Sequence, residues 1–334
     1  DHAWLGYDGA RCVHAAIETA SCRACVDVCP RDAWHLDDAA LEFHGGRCDG
    51  CGLCVPACPR RAITATPRFA RTEVAGSAVM VVACDRVSAT SGAGRPGCLH
   101  AISLTDLLRA YAEGYGVWLV TRGDCAACPR GSAESLFSRL AHLNVMLRQR
   151  GKRPILLREV SLQVSSSLIS GAAVAASRRG FIRTLSRRPL AMLLDPLADI
   201  DSSASQPPGE YLPDGDDAMM PWVVELDPMR CIGCHACARV CPEGAIRFDP
   251  AVPAYHLRHR ACSGCGLCVD VCEAGALELR AWAEPSLSGV ALSEKRCRSC
   301  GVTFHTPLAR HDATAQCWIC THSQPSRRLY QVME

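Results

Sequence analysis

The sequence predicts a multi-domain α+β chain: two small cysteine-rich modules on either side of a small α/β domain with a parallel sheet, and a cysteine knuckle at the C-terminus. Three observations carry that prediction. There are 24 cysteines in 334 residues, and they fall in short-spaced groups rather than singly. The group "CIGCHACARVCP" at 231–242 is echoed by "CSGCGLCVDVCE" at 262–273, and a related pair stands near the start of the chain, an internal duplication that reads as repeated modules. Between the pairs, valine-rich apolar runs alternate with segments of helical period, the pattern of an α/β unit.

At 334 residues the chain has room for two or three domains. Lys plus Arg (36) nearly balances Asp plus Glu (34), for a formal net charge of +2, so nothing points to nucleic acid or an anionic membrane as partner. A metal-bound cysteine is a thiolate, so the loaded protein is expected to be acidic. No stretch reaches the roughly 18 consecutive apolar residues that a membrane span needs. The best, Pro154 to Ser177, is interrupted by Arg158, Glu159 and several serines. No secretory leader is read at the start, and dense CxxC spacing in a chain of this size points to metal in a reducing compartment rather than to disulfides. The expected location is the cytoplasm, with any membrane association peripheral and through partner subunits.

Residues 1–70 make the first module. "CDGCGLCVPACP" supplies Cys48, Cys51, Cys54 and Cys58. A cubane iron–sulfur cluster needs four thiolates around a small inorganic core. A CxxCxxC loop wraps three of them round one cluster, and the fourth cysteine, followed by proline, serves a second cluster. The other half, "TASCRACVDVCP", has only Cys22, Cys25 and Cys29, with Thr19 where the first cysteine belongs. Cys12 is the candidate replacement, reaching over an inserted loop. One [4Fe-4S] cluster is thereby assigned to Cys12, Cys22, Cys25 and Cys58 and another to Cys48, Cys51, Cys54 and Cys29. The alternative is a three-iron or absent cluster, with Cys12 packed as a small hydrophobe.

Residues 71–162 make the central domain. "SAVMVVAC", "VWLVT" and "PILLRE" read as buried strands. "SLTDLLRAYAEG" carries a capping-box pattern at Ser103 and Asp106 and ends in glycine, so it reads as a helix. Leu136, Leu140, Leu143 and Leu147 recur at helical spacing between Ser132 and Arg150. Ligands of such sheets collect beyond the carboxyl ends of the strands, where Cys84 and the Cys125–Cys128 pair fall; Cys98 completes a set of four. The order of pieces, a cysteine after a strand, "PGC" before a helix and "GDCAACP" after the next strand, resembles the delta subunit of methyl-viologen-reducing hydrogenases over about residues 78–162. That resemblance implies a [2Fe-2S] cluster on the four cysteines and electron transfer between a hydrogenase or formate dehydrogenase and heterodisulfide reductase. "GDCAACP" departs from the family's GDCHY-like stretch at the partner-facing surface. A thioredoxin-like dithiol and a zinc site are the alternatives.

Residues 163–221 read as a basic segment followed by a flexible linker, since "DIDSSASQPPGEYLPDGDD" has little to bury. "SRRGFIRTL" (Ser177–Leu185) looks like a twin-arginine export motif but lacks its setting, an N-terminal position before an apolar segment. Arg178, Arg179, Arg183, Arg187 and Arg188 read instead as a basic face for an acidic partner or cluster domain, against a plain solvated helix.

Residues 222–284 repeat the module without defect. The crossed arrangement assigns one cluster to Cys231, Cys234, Cys237 and Cys272 and its partner to Cys262, Cys265, Cys268 and Cys241. Glu273 stands where proline usually follows. Short alternating runs, "AIRFD" and "ALELR", follow the motifs as small strands. Over about residues 8–68 and 222–282 the two modules resemble bacterial-type two-cluster ferredoxins, which implies the ferredoxin-like fold for both.

Residues 285–334 hold Cys297, Cys300, Cys317 and Cys320 as CxxC, sixteen residues, CxxC, a zinc-ribbon-like spacing. Thiolate coordination would stabilise a segment too short for its own core. Zinc is favoured over a rubredoxin-like iron because the second knuckle reads "CWIC" before Thr321. His305, His311 and His322 are available as substitute ligands, with a surface or outer-sphere position favoured. All 24 cysteines are then placed in complete fours.

No phosphate loop, nucleotide fingerprint or nucleophile–base pair stands out. What remains is a row of one-electron centres. The expected function is a polyferredoxin-type electron-transfer subunit, without its own substrate site, in a hetero-oligomeric complex whose partners carry flavin, molybdenum or nickel-iron: a hydrogenase, formate dehydrogenase or heterodisulfide-reductase-like assembly. The alternatives are an accessory or maturation ferredoxin for a molybdoenzyme, and a disulfide or sulfur reductase acting at Cys125 and Cys128.

Overall fold

Small strands and one-turn helices form wherever the cysteine loops leave apolar residues to bury, and among the described residues helices longer than five residues appear only in the central domain and just after it. A computed structural model describes residues 5–37, 40–65, 69–87, 97–131, 135–170, 206–310 and 315–322. The chain divides into two units, Asp1–Met219 and Met220–Glu334.

In the first unit, β1 (Leu5–Tyr7), β2 (Trp34–Leu36), β3 (Leu41–Phe43) and β4 (Ile63–Ala65) form two antiparallel ribbons, with Tyr7 opposite Ile63 and Trp34 opposite Phe43. One-turn helices Ala24–Asp27 and Cys54–Ala57 pack beneath them. The core is Cys25, Trp34, Cys54 and Ile63, with Leu5, Phe43 and Val55 against it. The cysteines are thus part of the apolar interior, as the small size of the module requires.

The central sheet contains β5 (Ala70–Val74), β6 (Ser77–Ala83), β7 (Val117–Thr121) and β8 (Leu156–Glu159) in that order. β6, β7 and β8 are parallel, and the three apolar runs are the strands expected of them. Met80, Val81, Val82 and Ala83 are wholly buried, as a strand covered on both faces must be. The sheet is mixed rather than all-parallel: β5 runs antiparallel to β6 through a two-residue turn at Ala75 and Gly76, both at positive φ (52° and 78°), the geometry of a tight hairpin. Helix Leu104–Ala112 starts at the expected capping box, Asp106 N–H donating to Ser103 Oγ (3.1 Å) and Ser103 N–H to Asp106 Oδ2 (2.8 Å). In helix Leu136–Gln149, Leu136, Leu140, Leu143 and Leu147 are buried.

The stretch read as linker is packed at both ends. Helix Leu162–Ser170 lays Val164 and Leu168 on Val79, Val81 and Leu119 of the sheet. Its serines turn back on the helix: Ser165 Oγ donates to Leu162 O (3.1 Å) and Ser167 Oγ to Gln163 O (2.9 Å). Farther on, Arg150 clips the chain down by donating to the carbonyls of Pro213 (3.1 Å), Gly215 (2.9 Å) and Met219 (3.0 Å). The basic stretch Ser177–Leu185, with Arg187 and Arg188, lies outside the described residues.

In the second unit, β9 (Met220–Leu226), β10 (Ile246–Asp249), β11 (Ala254–Leu257), β12 (Leu277–Ala283), β13 (Gly289–Arg296) and β14 (Thr303–Pro307) make a β9–β12 ribbon and an antiparallel sheet in the order β10-β11-β13-β14. Val224, Leu226, Ile246, Tyr255, Leu277 and Val290 share one core with Cys231, Cys237, Cys262 and Cys268. The C-terminal knuckle is built onto this sheet rather than standing apart. The first half of β13 pairs with β11 and its second half with β14, so one long strand passes from module to knuckle. Among the described residues no helix is long and apolar enough to cross a membrane.

Candidate metal centres

Two cavities of about 340 Å³ each lie in the second unit. The first is lined by Cys231, Cys234, Cys237 and Cys272 with Leu226, Tyr255 and Leu277. The second is lined by Cys241, Cys262, Cys265 and Cys268 with Val224, Ile246 and Leu279. The thiols are therefore gathered in the crossed grouping. Burial and then the charges of Cys231, Cys234 and Cys272 push Cys237 up to about 12. Burial pushes Cys268 higher still, with Cys262, Cys265 and Cys241 adding to it and Cys237 of the first set close enough to contribute. Four such thiols cannot ionise together unless cationic metal enters with them.

Local backbone explains the gathering. Gly233 and Gly264 take φ of +70° and +75°, turning each loop inward. A Cβ at Gly233 would fall on His305 O, and one at Gly264 on the Trp222 ring. Where Gly52 and Gly266 are left-handed in their loops, the first unit-2 loop has His235 at φ 64°. His235 N–H donates to Tyr255 Oη (3.2 Å), its Nδ1 lies 2.9 Å from that hydroxyl, and its Nε2 lies 2.9 Å from His305 Nδ1. His305 is thus a brace of the cluster loop rather than a substitute ligand. The departure at Glu273 leaves the fourth cysteine undisturbed: Ala276 N–H donates to Cys272 Sγ at 3.2 Å, as Ala245 N–H does to Cys241 Sγ at 3.2 Å.

In the first module the residues assigned to the incomplete half lie on short turns. Cys12 sits between two short turns, Gly9–Arg11 and Val13–Ala15, fastened by buried Val13 and by His14 Nε2 donating to Cys22 O (2.8 Å). Burial and then Cys58, Cys22, Cys12 and Cys54 push Cys25 up to about 12. Tyr7 is pushed up to about 12 by burial and then by Cys12. In the other set, burial pushes Cys54 up to about 11 while the Trp34 side chain hydrogen-bonds to it, and Cys29 and Cys48 crowd it. Cys29 Sγ accepts from Ala33 N–H (3.3 Å), repeating the arrangement at Cys241 and Cys272. Cys51 belongs to a separate apolar cluster with Leu53 and Cys98.

The central set stands at the carboxyl ends of β6 and β7. Cys84 N–H donates to Thr121 O (2.9 Å), joining the two strand ends. Burial pushes Cys98 up to about 11, with Cys84 and Cys128 close by; burial raises Cys84, with Asp85 and Cys125 adding to it. Cys84 and Cys98 are buried, whereas Cys125 and Cys128 are half-buried, so the site has an inner wall and an outer rim. Asp124 Oδ1 shapes that rim by accepting from Ala126 N–H (3.0 Å) and Ala127 N–H (3.3 Å). Arg130, 6% exposed, ion-pairs with Asp85 (2.7 Å) on the central site and Asp49 (3.0 Å) in the first module. No local pattern announces that contact.

In the knuckle, the Sγ atoms of Cys297, Cys300, Cys317 and Cys320 lie within 4.8 Å of one another, and Cys300 and Cys317 are 3.8 Å apart. Metal–sulfur bonds of about 2.3 Å in a tetrahedron give an edge of about 3.8 Å. The N–H of Cys317, followed by that of Cys300, holds the Cys297 thiol down at about 6, so one thiolate is ready at neutral pH. His322 is turned to its own helix, stacked on Trp318 (3.4 Å) with Nδ1 on Trp318 O (2.9 Å). His311 lies outside the described residues.

The fit to iron–sulfur clusters in the second unit rests on three features: all-thiol donor sets, backbone N–H groups on sulfur, and a Ser263 hydroxyl buried on the second cavity with no hydrogen-bond partner among the described residues. All 24 cysteines are free thiols. Residues 230–276 and residues 19–63 each match a 4Fe-4S dicluster domain. The chain is an iron–sulfur protein. The dicluster domains support an electron-transfer role, and the match over residues 19–63 spans seven of the eight cysteines assigned to its module, Cys12 lying outside it.

Proposed function

We propose that this iron–sulfur protein is a multi-cluster electron-transfer subunit of a larger redox complex, of hydrogenase, formate dehydrogenase or heterodisulfide-reductase-like type. The observation that carries the reading is the gathering of the second dicluster domain's cysteines into two crossed sets of four around two cavities, beside a central four-cysteine site with a buried wall and an accessible rim. Bound clusters supply reversible one-electron storage. The chain's own residues hold and insulate them. Sixteen thiolates are assigned as ligands to four [4Fe-4S] clusters and Cys84, Cys98, Cys125 and Cys128 to a [2Fe-2S] cluster. Leu226, Val224, Ile246 and Leu277 exclude water from two cavities. Backbone N–H groups on Cys29, Cys241 and Cys272 stabilise negative charge on sulfur. Cys125 and Cys128 face outward, where a flavin-, molybdenum- or nickel-iron-bearing partner would dock. Cys297, Cys300, Cys317 and Cys320 hold zinc in a structural role.

Anaerobic purification with iron, sulfide and zinc counts tests this reading. The expected result is roughly 16 iron from four cubanes, about two more from the central site, and about one zinc per chain, with reversible reduction and no turnover of simple substrates. A central site free of iron whose Cys125 is trapped by a thiol label at neutral pH would replace it with the dithiol alternative.

A further inference from the structure

Arg130 ties the first dicluster module to the central four-cysteine site. Its Nε donates to Asp49 Oδ2 (3.0 Å), its Nη1 to Asp85 Oδ1 (2.7 Å) and Gly97 O (2.7 Å), and its Nη2 to Asp49 O (3.3 Å). Each partner abuts a cysteine: Asp49 lies between Cys48 and Cys51, Asp85 follows Cys84, Gly97 precedes Cys98, and Arg130 itself is two residues past Cys128. One buried guanidinium thus grips the ligand loops of two centres. The loops also touch. A Cβ on Gly97 would fall on the carbonyl oxygen of Gly50 and press the backbone of Cys51, and Gly52 meets Ala101 in the same way, at 3.1 Å. Cys51 and Cys98 share an apolar cluster with Leu53.

We propose that the centre on Cys29, Cys48, Cys51 and Cys54 exchanges electrons directly with the central centre across the apolar cluster of Cys51, Leu53 and Cys98, and that Arg130 is the positioning residue that sets their spacing and relative potentials. The inference rests on the reading of the central site as an iron–sulfur centre. In the step, a reduced four-iron centre gives up one electron and the oxidised central centre takes it. No bond forms or breaks and no proton moves. A one-electron-donating partner of the flavoprotein or metalloprotein class restores the first centre. The grip carries two carboxylates and one guanidinium, a net charge of minus one; without the guanidinium it is minus two, which disfavours added electrons on both sides. A Lys at this position would keep the charge but not the fork that spans two carboxylates.

The test uses the full chain purified anaerobically, as wild type, Arg130→Gln, Arg130→Lys and Gly97→Ala. Iron and sulfide counts, potentiometric titration and electron paramagnetic resonance of the dithionite-reduced protein are read together. Wild type is expected to show magnetic interaction between the central centre and the adjacent four-iron centre. Arg130→Gln is expected to keep its iron, weaken that interaction and shift both centres about tenfold toward the oxidised form, 59 mV for one electron. Arg130→Lys recovers the potentials but not the interaction, and Gly97→Ala weakens the interaction with little change in potential. A loaded Arg130→Gln protein with unchanged potentials and interaction, even if it melts earlier, overturns the proposal and leaves Arg130 a structural clamp. Absence of the interaction in wild type overturns it without any variant. Iron at the central site without interaction sinks the exchange alone, whereas no iron there sinks the reading of that site as well.

Discussion

Ser263→Ala separates a hydroxyl that tunes a cluster from one that is merely stranded. Ser263 is 5% exposed, lines the cavity of Cys241, Cys262, Cys265 and Cys268, and has no partner for Oγ among the described residues. A buried hydroxyl left unbonded costs about 1–3 kcal/mol, and a hydrogen bond to a charged acceptor contributes about 1.5–3 kcal/mol. A reduced cluster bears one more negative charge than an oxidised one, so the bond strengthens on reduction; taking the gain as about half the smaller charged-acceptor value, about 0.75 kcal/mol, the alanine variant should titrate about 30 mV lower. The twin cavity is an internal control, since Ile232 lines it in the matching CxxC loop. Ile232→Ser should raise that cluster by a similar amount. Potentiometric titration followed by electron paramagnetic resonance reads both, and thermal melting under the same anaerobic conditions reads stability. If Ser263→Ala leaves the potential in place and stabilises the fold by about 1 kcal/mol, the hydroxyl meets no cluster and the reasoning fails.

Cys12→Ser should cost the first module one to four of roughly 16 cubane irons, converting or emptying one cluster while the other three persist; an unchanged iron count would return Cys12 to a packing role. Gly233→Ala forces a Cβ onto His305 O at a residue with φ +70°, and should lower the melting of the second unit by about 2 kcal/mol or more as the loop parts from β14, read by anaerobic calorimetry. Cys300→Ser should remove the single metal of the knuckle without altering cubane absorbance, checked by zinc and iron analysis. Cys297 is held at about 6 against an ordinary value of 9.0. A depressed thiol binds fewer protons folded than unfolded, so its contribution is full above the free-thiol range and fades as pH falls toward 6. Metal retention by the knuckle should therefore drop on acidification through about pH 6, read with a zinc indicator in a pH titration.

The ligand groups could be read from the chain because cluster loops are local objects: three thiols within seven residues define their own geometry, and each fourth cysteine follows at a constant interval. The capping box at Ser103 and the leucine stripe of helix Leu136–Gln149 were legible for the same reason, since a helix places residues three and four apart on one face. The hairpin edge of the central sheet escaped that reading because an Ala–Gly turn carries a weaker signal than the apolar runs beside it. Helix Leu162–Ser170 escaped because the acidic, Ser- and Pro-rich run farther on set the reading for the whole of 163–221. The contacts that join centres are of another kind. Arg130 reaches Asp49 across 81 residues and His305 reaches His235 across 70. Such pairs have no spacing to detect: their geometry exists only after distant loops are buried against one another, because burial, not chain proximity, makes a charge or a hydrogen bond strong.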